Sequence, residues 1–327
     1  MSCLMVEVVR SGVAESRHHG DAVVVKASGD VLACAGDPVV GIFARSAAKP
    51  FQALASLRAM GSASEMGDED LAVACGSHTG EPVHVAAVLC ILAKVGLDED
   101  ALRCPAVLPL DARSRRALER GGQGPRPVFH NCSGKHALML AACVARGWPT
   151  NTYEERRHPL QIAAAELFAE YADEVPFAYG VDGCGVPVYG VTLKGLATAY
   201  ARLAARSAEG DADCSRILHA MRTMPFLAGG TGELATAAMR VTPDLLVKAG
   251  AEGIVAAAHL SRGLGFALKV EDGASRASAP AASEALVRLG WISGEALEEF
   301  RHPAVFGGGK PVGCLRADEE FLSAISA

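Results

Sequence analysis

The sequence predicts an α+β fold, an antiparallel sheet flanked by helices in which N- and C-terminal strands lie together. Strand-like runs sit at both ends, helical runs fill the middle, and neither a linker nor an internal repeat divides the 327 residues. One domain over 1–327 is therefore expected, at most as two packed lobes: a sheet from both termini and a helical region at roughly 50–225.

At the N-terminus, Val6 to Gly12 and Asp21 to Asp37 read as strands joined by a Ser-Gly-Asp turn. Ala47 to Met60 is helical and closes at Gly61; apolar Asp70 to Ala74 leads into a polar turn, Gly76 to Gly80. Helices are expected at Val83 to Val95, Ser133 to Arg146, Pro159 to Tyr171, Lys194 to Ser207 and Cys214 to Met224. Val181 to Tyr189 is Gly-rich and reads as turn. Leu245 to Val247, Gly253 to His259 and Leu264 to Val270 read as consecutive antiparallel strands, with a helix at Ala281 to Leu289.

Half the residues are hydrophobic and only 5% aromatic, so small and branched aliphatic side chains build the core. The net charge is −6 with no basic block, which gives nucleic acid no electrostatic footprint. There is no run of 18 apolar residues to span a membrane, and MSCLMVEVVRSG is no signal peptide. Ten cysteines without a C-x-x-C read as reduced thiols of a cytoplasmic protein. The chain has 8 Lys against 23 Arg. Lysine, unlike arginine, loses its proton when buried, so each Lys beside Ser or Cys is a candidate for chemistry.

Five segments qualify. In Arg45-Ser46-Ala47-Ala48-Lys49, the i, i+3 spacing puts Ser46 and Lys49 on one helix face. A serine needs a base within hydrogen-bond reach, and a desolvated neutral lysine can serve. The bland alternative is that Ser46 caps the helix. In Cys75-Gly76-Ser77-His78-Thr79-Gly80-Glu81, a Gly-flanked turn exposes Ser77 and His78 for catalysis or binding, or caps the Val83 helix. His130 to His136 packs polar and nucleophilic groups at a helix start, with Cys132 and Lys135 on one face. That suits an activated Cys132, a metal site, or capping with a buried Cys. In Asp182-Gly183-Cys184-Gly185, Asp182 and Cys184 can both reach a metal, or form a plain tight turn. Lys248 leaves a strand ahead of Gly250, pointing into a cleft or lying on the surface.

Together these motifs resemble the asparaginase II-like family, typified by the zinc-assisted rhizobial-type L-asparaginase. The resemblance runs nearly end to end, from Glu15-Ser16-Arg17-His18 through the five segments to Gly263-Leu264-Gly265, Lys269 and Asp272-Gly273. It implies a fold like serine β-lactamases and glutaminases, and an amidohydrolase acting on L-asparagine. It implies two Ser–Lys tandems, Ser46 with Lys49 and Ser77 with Lys248, Lys269 being the weaker match for the second lysine. It further implies Zn2+ on Cys132, Lys135 and Cys184, serving substrate affinity, and a homodimer. Arg45, His136 and Asp182 are candidates to grip the α-carboxylate or α-amine of the substrate. Ser46 is the expected nucleophile, with Ser77 as the alternative. No Ser-Asp-Asn motif is present, so penicillin recognition is not implied. The rival functions are a β-lactamase-like glutaminase or esterase, a non-catalytic zinc-binding protein, and a thiol hydrolase using Cys132.

Overall fold

The computed structural model describes residues 1–61 and 64–326. Its main sheet has eight strands, all paired antiparallel. The N-terminal strands are β1 (Cys3–Arg10), β2 (Val13–Lys26) and β3 (Val31–Ala35). After the short β4 (Gly41–Phe43) come the helices α1 (Lys49–Met60), α2 (Asp68–Cys75), α3 (Pro82–Lys94), α4 (Ala112–Arg120), α5 (Ser133–Arg146) and α6 (Pro159–Ala172). Next are β5 (Ala178–Val181), β6 (Pro187–Thr192), α7 (Leu193–Ala208), α8 (Ala212–Thr223), α9 (Pro225–Ala228) and α10 (Leu234–Val241). The chain returns to the sheet as β7 (Leu245–Gly250), β8 (Ile254–His259) and β9 (Leu264–Val270). It ends with α11 (Ser275–Arg288), α12 (Glu298–Arg301), β10 (Ala304–Gly307), β11 (Lys310–Ala317) and α13 (Glu319–Ile325).

The strand order is β10-β11-β1-β2-β9-β8-β7, with β3 also on β2. N- and C-terminal strands therefore share the sheet, as the sequence predicts. Helix α7 packs against β2, β8 and β9, and α11 packs against β1, β8, β9 and β11. Strands covered on both faces keep continuous apolar runs, which explains the fully buried Ala22 to Val25 and Val255 to Ala258. Gly265 makes the α7 contact possible: a Cβ there would lie 1.9 Å from the Ala197 carbonyl oxygen. Among the helices, Phe51 packs against Phe168, Tyr171 and Tyr200 with ring centroids 5.3–5.6 Å apart.

Two expectations need correction. Val181 to Tyr189 is not simply a turn: β4, β6 and β5 form a second, three-stranded sheet, and only Asp182 to Val186 bends between strands. Glycines let this sheet pack closely: a Cβ at Gly41 or Gly190 would lie 3.0 Å from the Phe177 ring, and one at Gly180 would lie 3.1 Å from Val188. Helix α11 starts at Ser275 rather than Ala281, with Pro280 tolerated inside it. The closing β10–β11 hairpin, too short and too Gly-rich to show a period, carries the sheet beyond β1. No helix among the described residues is long and apolar enough to cross a membrane.

Candidate active site

The site forms where four segments meet. A 3-10 turn, Arg45–Ala48, precedes α1 and carries Ser46. The turn after α2 carries Ser77, the start of α5 carries Cys132 and Lys135, and β7 carries Lys248. Close backbone approach holds them together. A Cβ on Gly76 would lie 2.5 Å from the Ala228 carbonyl oxygen, and one on Gly134 would lie 2.4 Å from that of Val73. Gly250, at the end of β7, lies against Ala44 and Ala47.

Ser77 is the meeting point. Its hydroxyl oxygen accepts from Lys49 Nζ at 2.9 Å and from Lys248 Nζ at 2.8 Å. Lys49 also donates to the carbonyls of Gly76 (2.5 Å) and Asn131 (3.0 Å), and Lys248 to that of Ala249 (2.8 Å). Both lysines are buried and Ser77 is half-buried. Burial lowers both amines, and beside Lys49 the Lys248 amine is brought down to about 7. The Ser77 backbone N–H is committed to the Ala228 carbonyl at 3.0 Å.

The expected pairing of Ser46 with Lys49 is not formed. Lys49 Nζ reaches past the 3-10 turn to Ser77, because the Gly76 and Asn131 carbonyls provide the acceptors a buried amine needs. Ser46 keeps a half-buried hydroxyl with no hydrogen-bond partner among the described residues. Lys269 donates to the Val270 and Glu271 carbonyls and not to Ser77, so the second lysine at this serine is Lys248.

Around this centre, the Ser77 turn is fixed by its neighbours. His78 is fully buried, and burial holds it neutral; it takes the Gly80 N–H on Nδ1, which leaves Nε2–H to donate to Ser133 Oγ at 2.9 Å. Its ring stacks on His84, 5.1 Å away, and His84 on Phe226. Neither Ser77 nor Thr79 caps α3; the cap residue is Glu81, whose N–H donates to His84 Nδ1. The Gly-rich segment Gly229 to Gly232 closes over Thr79, and Thr231 bonds Glu81.

Cys132, Lys135 and Cys184 do come together. Lys135 Nζ lies 3.2 Å from Cys184 Sγ and all three are buried. A hydrogen bond from Cys132 and, against burial, the Lys135 ammonium bring the Cys184 thiol down to about 5. Burial acts to lower the Lys135 amine, but the two sulfurs outweigh it and hold it above its ordinary value. Among the described residues no group of three His, Cys, Asp or Glu is arranged to hold a metal. Here two sulfurs converge with an amine as third donor, a set that fits a soft divalent ion once the amine gives up its proton.

Of the three grip candidates, Arg45 and Asp182 pair with each other: Arg45 Nε donates to Asp182 Oδ1 at 2.9 Å. Burial opposes it, yet Lys135, the Gly183 N–H and Arg45 hold the Asp182 carboxyl below the usual range. His136 stands apart from that pair. It is fully buried, its Nδ1 accepts from the Tyr153 hydroxyl at 2.6 Å, and burial pushes it down to about 3. A neutral, enclosed imidazole has no charge to offer a substrate carboxylate, so the structure does not support that role for it. Its Nε2 has no partner among the described residues. Sequence reasoning places Glu252 in the motif after Lys248 without giving it a role; its carboxylate lies 3.9 Å from Arg45 Nη1.

A sequence profile of the L-asparaginase II family matches residues 6–317. The chain belongs to the L-asparaginase II family. Membership implies an amidohydrolase. A comparison with curated proteins finds no match. Among solved structures, a β-lactamase (Mb2281c) from Mycobacterium bovis is similar at 17% identity and a TM-score of 0.43, covering 82% of this chain and 93% of that one. A putative β-lactamase from Bacteroides dorei is similar at 14% identity and 0.44, covering 77% and 84%. Mglu in its glutamate form is similar at 17% and 0.43, covering 82% and 60%.

A large groove of about 780 Å³ lies away from this candidate site, between α11, α13 and β11. Its charges are largely paired already, Glu7 with Arg316, Glu284 with Arg301 and Arg288 with Glu319. The Cys184 thiolate gives a direct test of the sulfur–amine cluster. In metal-free protein, ultraviolet thiolate absorbance should appear with a midpoint of about 5 and vanish in Cys184→Ser. A thiol that ionises only above its ordinary value of 9.0 would contradict the arrangement.

Proposed function

We propose that the protein is an L-asparaginase, hydrolysing L-asparagine to L-aspartate and ammonia. The observation that carries this is the Ser77 hydroxyl held between two buried lysine amines, within a chain of the L-asparaginase II family. Two buried cations 3 Å from one oxygen repel, so one amine is neutral at working pH and available as a base.

In this reading Ser46 attacks the side-chain amide carbon, and Lys49, one turn along the chain, takes its proton while handing one of its own through Ser77 to the neutral Lys248. Its hydroxyl is uncommitted and sits where a helix begins, a place that favours developing negative charge. Catalytic hydrogen bonds are often loose before substrate arrives, so the open Ser46–Lys49 contact is compatible with this role. Ser77, with its N–H already used, relays the proton between Lys49 and Lys248 and on to the departing nitrogen. The C–N bond breaks, ammonia leaves and an aspartyl ester remains on Ser46. Water, deprotonated through the same relay, hydrolyses the ester and returns the serine.

Cys132, Lys135 and Cys184 would hold zinc, releasing the protons of Cys132 and Lys135, and the ion would supply a Lewis-acid centre serving substrate affinity. Arg45 is the guanidinium on the chain side able to take the α-carboxylate. The homodimer is part of the same reading, supported by the exposed Phe43 and Phe177 on the outer face of the small sheet. Sedimentation at the mass of one chain would refute it.

Ammonia release from L-asparagine, compared with L-glutamine and with and without added zinc, tests the activity. No release from L-asparagine in any condition would overturn it. Ser77→Ala and Lys248→Met should each lower kcat by about 100-fold or more. Because the base is the neutral amine, kcat/KM should rise as pH climbs through about 7 and level off above it. A profile that falls through the same range would contradict Lys248 as base. A trapped acyl adduct on Ser77 instead of Ser46 would transfer the nucleophile's role.

A further inference from the structure

Four non-glycine residues among those described have a backbone in the left-handed region: Ser11, Arg45, Asp173 and Glu252. Such a conformation is costly for a residue with a Cβ and persists where surrounding structure imposes it. Two of the four, Arg45 beside Ser46 and Glu252, bring their charged ends close together. Arg45 (φ 47°) heads the turn that carries Ser46, and Glu252 (φ 62°) sits in the β7–β8 hairpin four residues after Lys248. Their charged ends are 3.9 Å apart, too long for a hydrogen bond.

The two acidic neighbours of Arg45 differ in availability. The Oδ1 of Asp182 accepts from both Arg45 Nε and the Gly183 N–H, and only 9% of its side chain is exposed. Asp182 thus serves to aim the guanidinium. The Glu252 side chain is 65% exposed and has no hydrogen bond to Arg45. Its carboxylate lies over Gly273, where a Cβ would meet Glu252 Oε2 at 2.5 Å. An exposed anion and a half-committed cation, separated by slightly more than contact distance, match the two charges on one α-carbon.

We propose that Glu252 binds the α-ammonium group of an α-amino acid substrate while Arg45 takes its α-carboxylate, so that the pair selects zwitterionic amides over amides lacking the amine. This rests on the amidohydrolase reading above and names the group that confers its substrate class. Binding replaces one long Arg45–Glu252 pair by two charge-assisted hydrogen bonds to ligand. The αL backbone at 252 is the strain that holds the carboxylate at the mouth of the site, where a glycine would relax.

Calorimetry with the full chain decides it without needing turnover. L-aspartate and succinate differ only by the amine. Wild type should bind L-aspartate more tightly, and Glu252→Gln should weaken L-aspartate about three- to tenfold while leaving succinate within about twofold. Glu252→Gly should melt at a higher temperature than wild type yet lose the same affinity, an outcome opposite to that of a residue kept for structure. On L-asparagine, Glu252→Gln should raise KM with little change in kcat. Equal effects on both ligands, no effect on L-aspartate, or a wild type that does not distinguish them would overturn the assignment. A wild type that separates the two ligands but releases no ammonia from L-asparagine would refute the activity and leave the ammonium site standing.

Discussion

A single buried amine ties the active site together. Lys49 Nζ donates to Gly76, Ser77 and Asn131, so one atom links the start of α1 to the turn after α2 and the turn before α5. Lys248 adds β7 by donating to the same serine oxygen. The cost of burying a lysine is met only when its hydrogen-bonding capacity is filled, and three acceptors fill that of Lys49. The site is therefore positioned by the group whose protonation it has to control. With two amines on one hydroxyl, protonating both places two positive charges on a shared acceptor. Losing one proton relieves that repulsion and lets the serine O–H donate in turn.

The sulfur cluster is mechanically joined to this centre. The carbonyl of Asn131 accepts from Lys49, and the next residue, Cys132, is a member of the Cys132–Lys135–Cys184 group. Whatever shifts the start of α5 also shifts an acceptor of Lys49. The Lys135 ammonium and the Cys184 thiolate neutralise each other inside the protein, which costs less than an unpaired buried charge. Asp182 extends the network outward to Arg45, so the small sheet that carries the Asp182 turn sets the guanidinium at the site mouth.

Much of this was legible because lysine is scarce. With 8 Lys against 23 Arg, those next to Ser or Cys stood out, and the structure gathers Lys49, Lys135 and Lys248 into the site region. The shared sheet was legible from the positions of its apolar runs. The partner of Lys49 was not: i, i+3 spacing assumes a regular helix, whereas the 3-10 turn and a long flexible side chain let Nζ reach Ser77, 28 positions along the chain. His136 shared a polar motif with Cys132 and Lys135, yet its ring turns into the core onto Tyr153, a choice made by packing alone. The β5–β6 strands were hidden by Gly183 and Gly185, which belong to the short bend that joins them. Glu252 drew no role because positive φ leaves no mark in a residue that can also sit in an ordinary loop.

The claim on which the account turns is that one of the two amines at Ser77 is neutral near physiological pH. Lysine-selective isotope labelling with a pH titration by NMR measures it directly, since eight lysines give a resolvable set of side-chain signals. The account predicts a Lys248 amine that titrates with a midpoint of about 7 and shifts upward when Lys49 is replaced by Met. A Lys248 signal that stays protonated up to its ordinary range near 10.5 would contradict it.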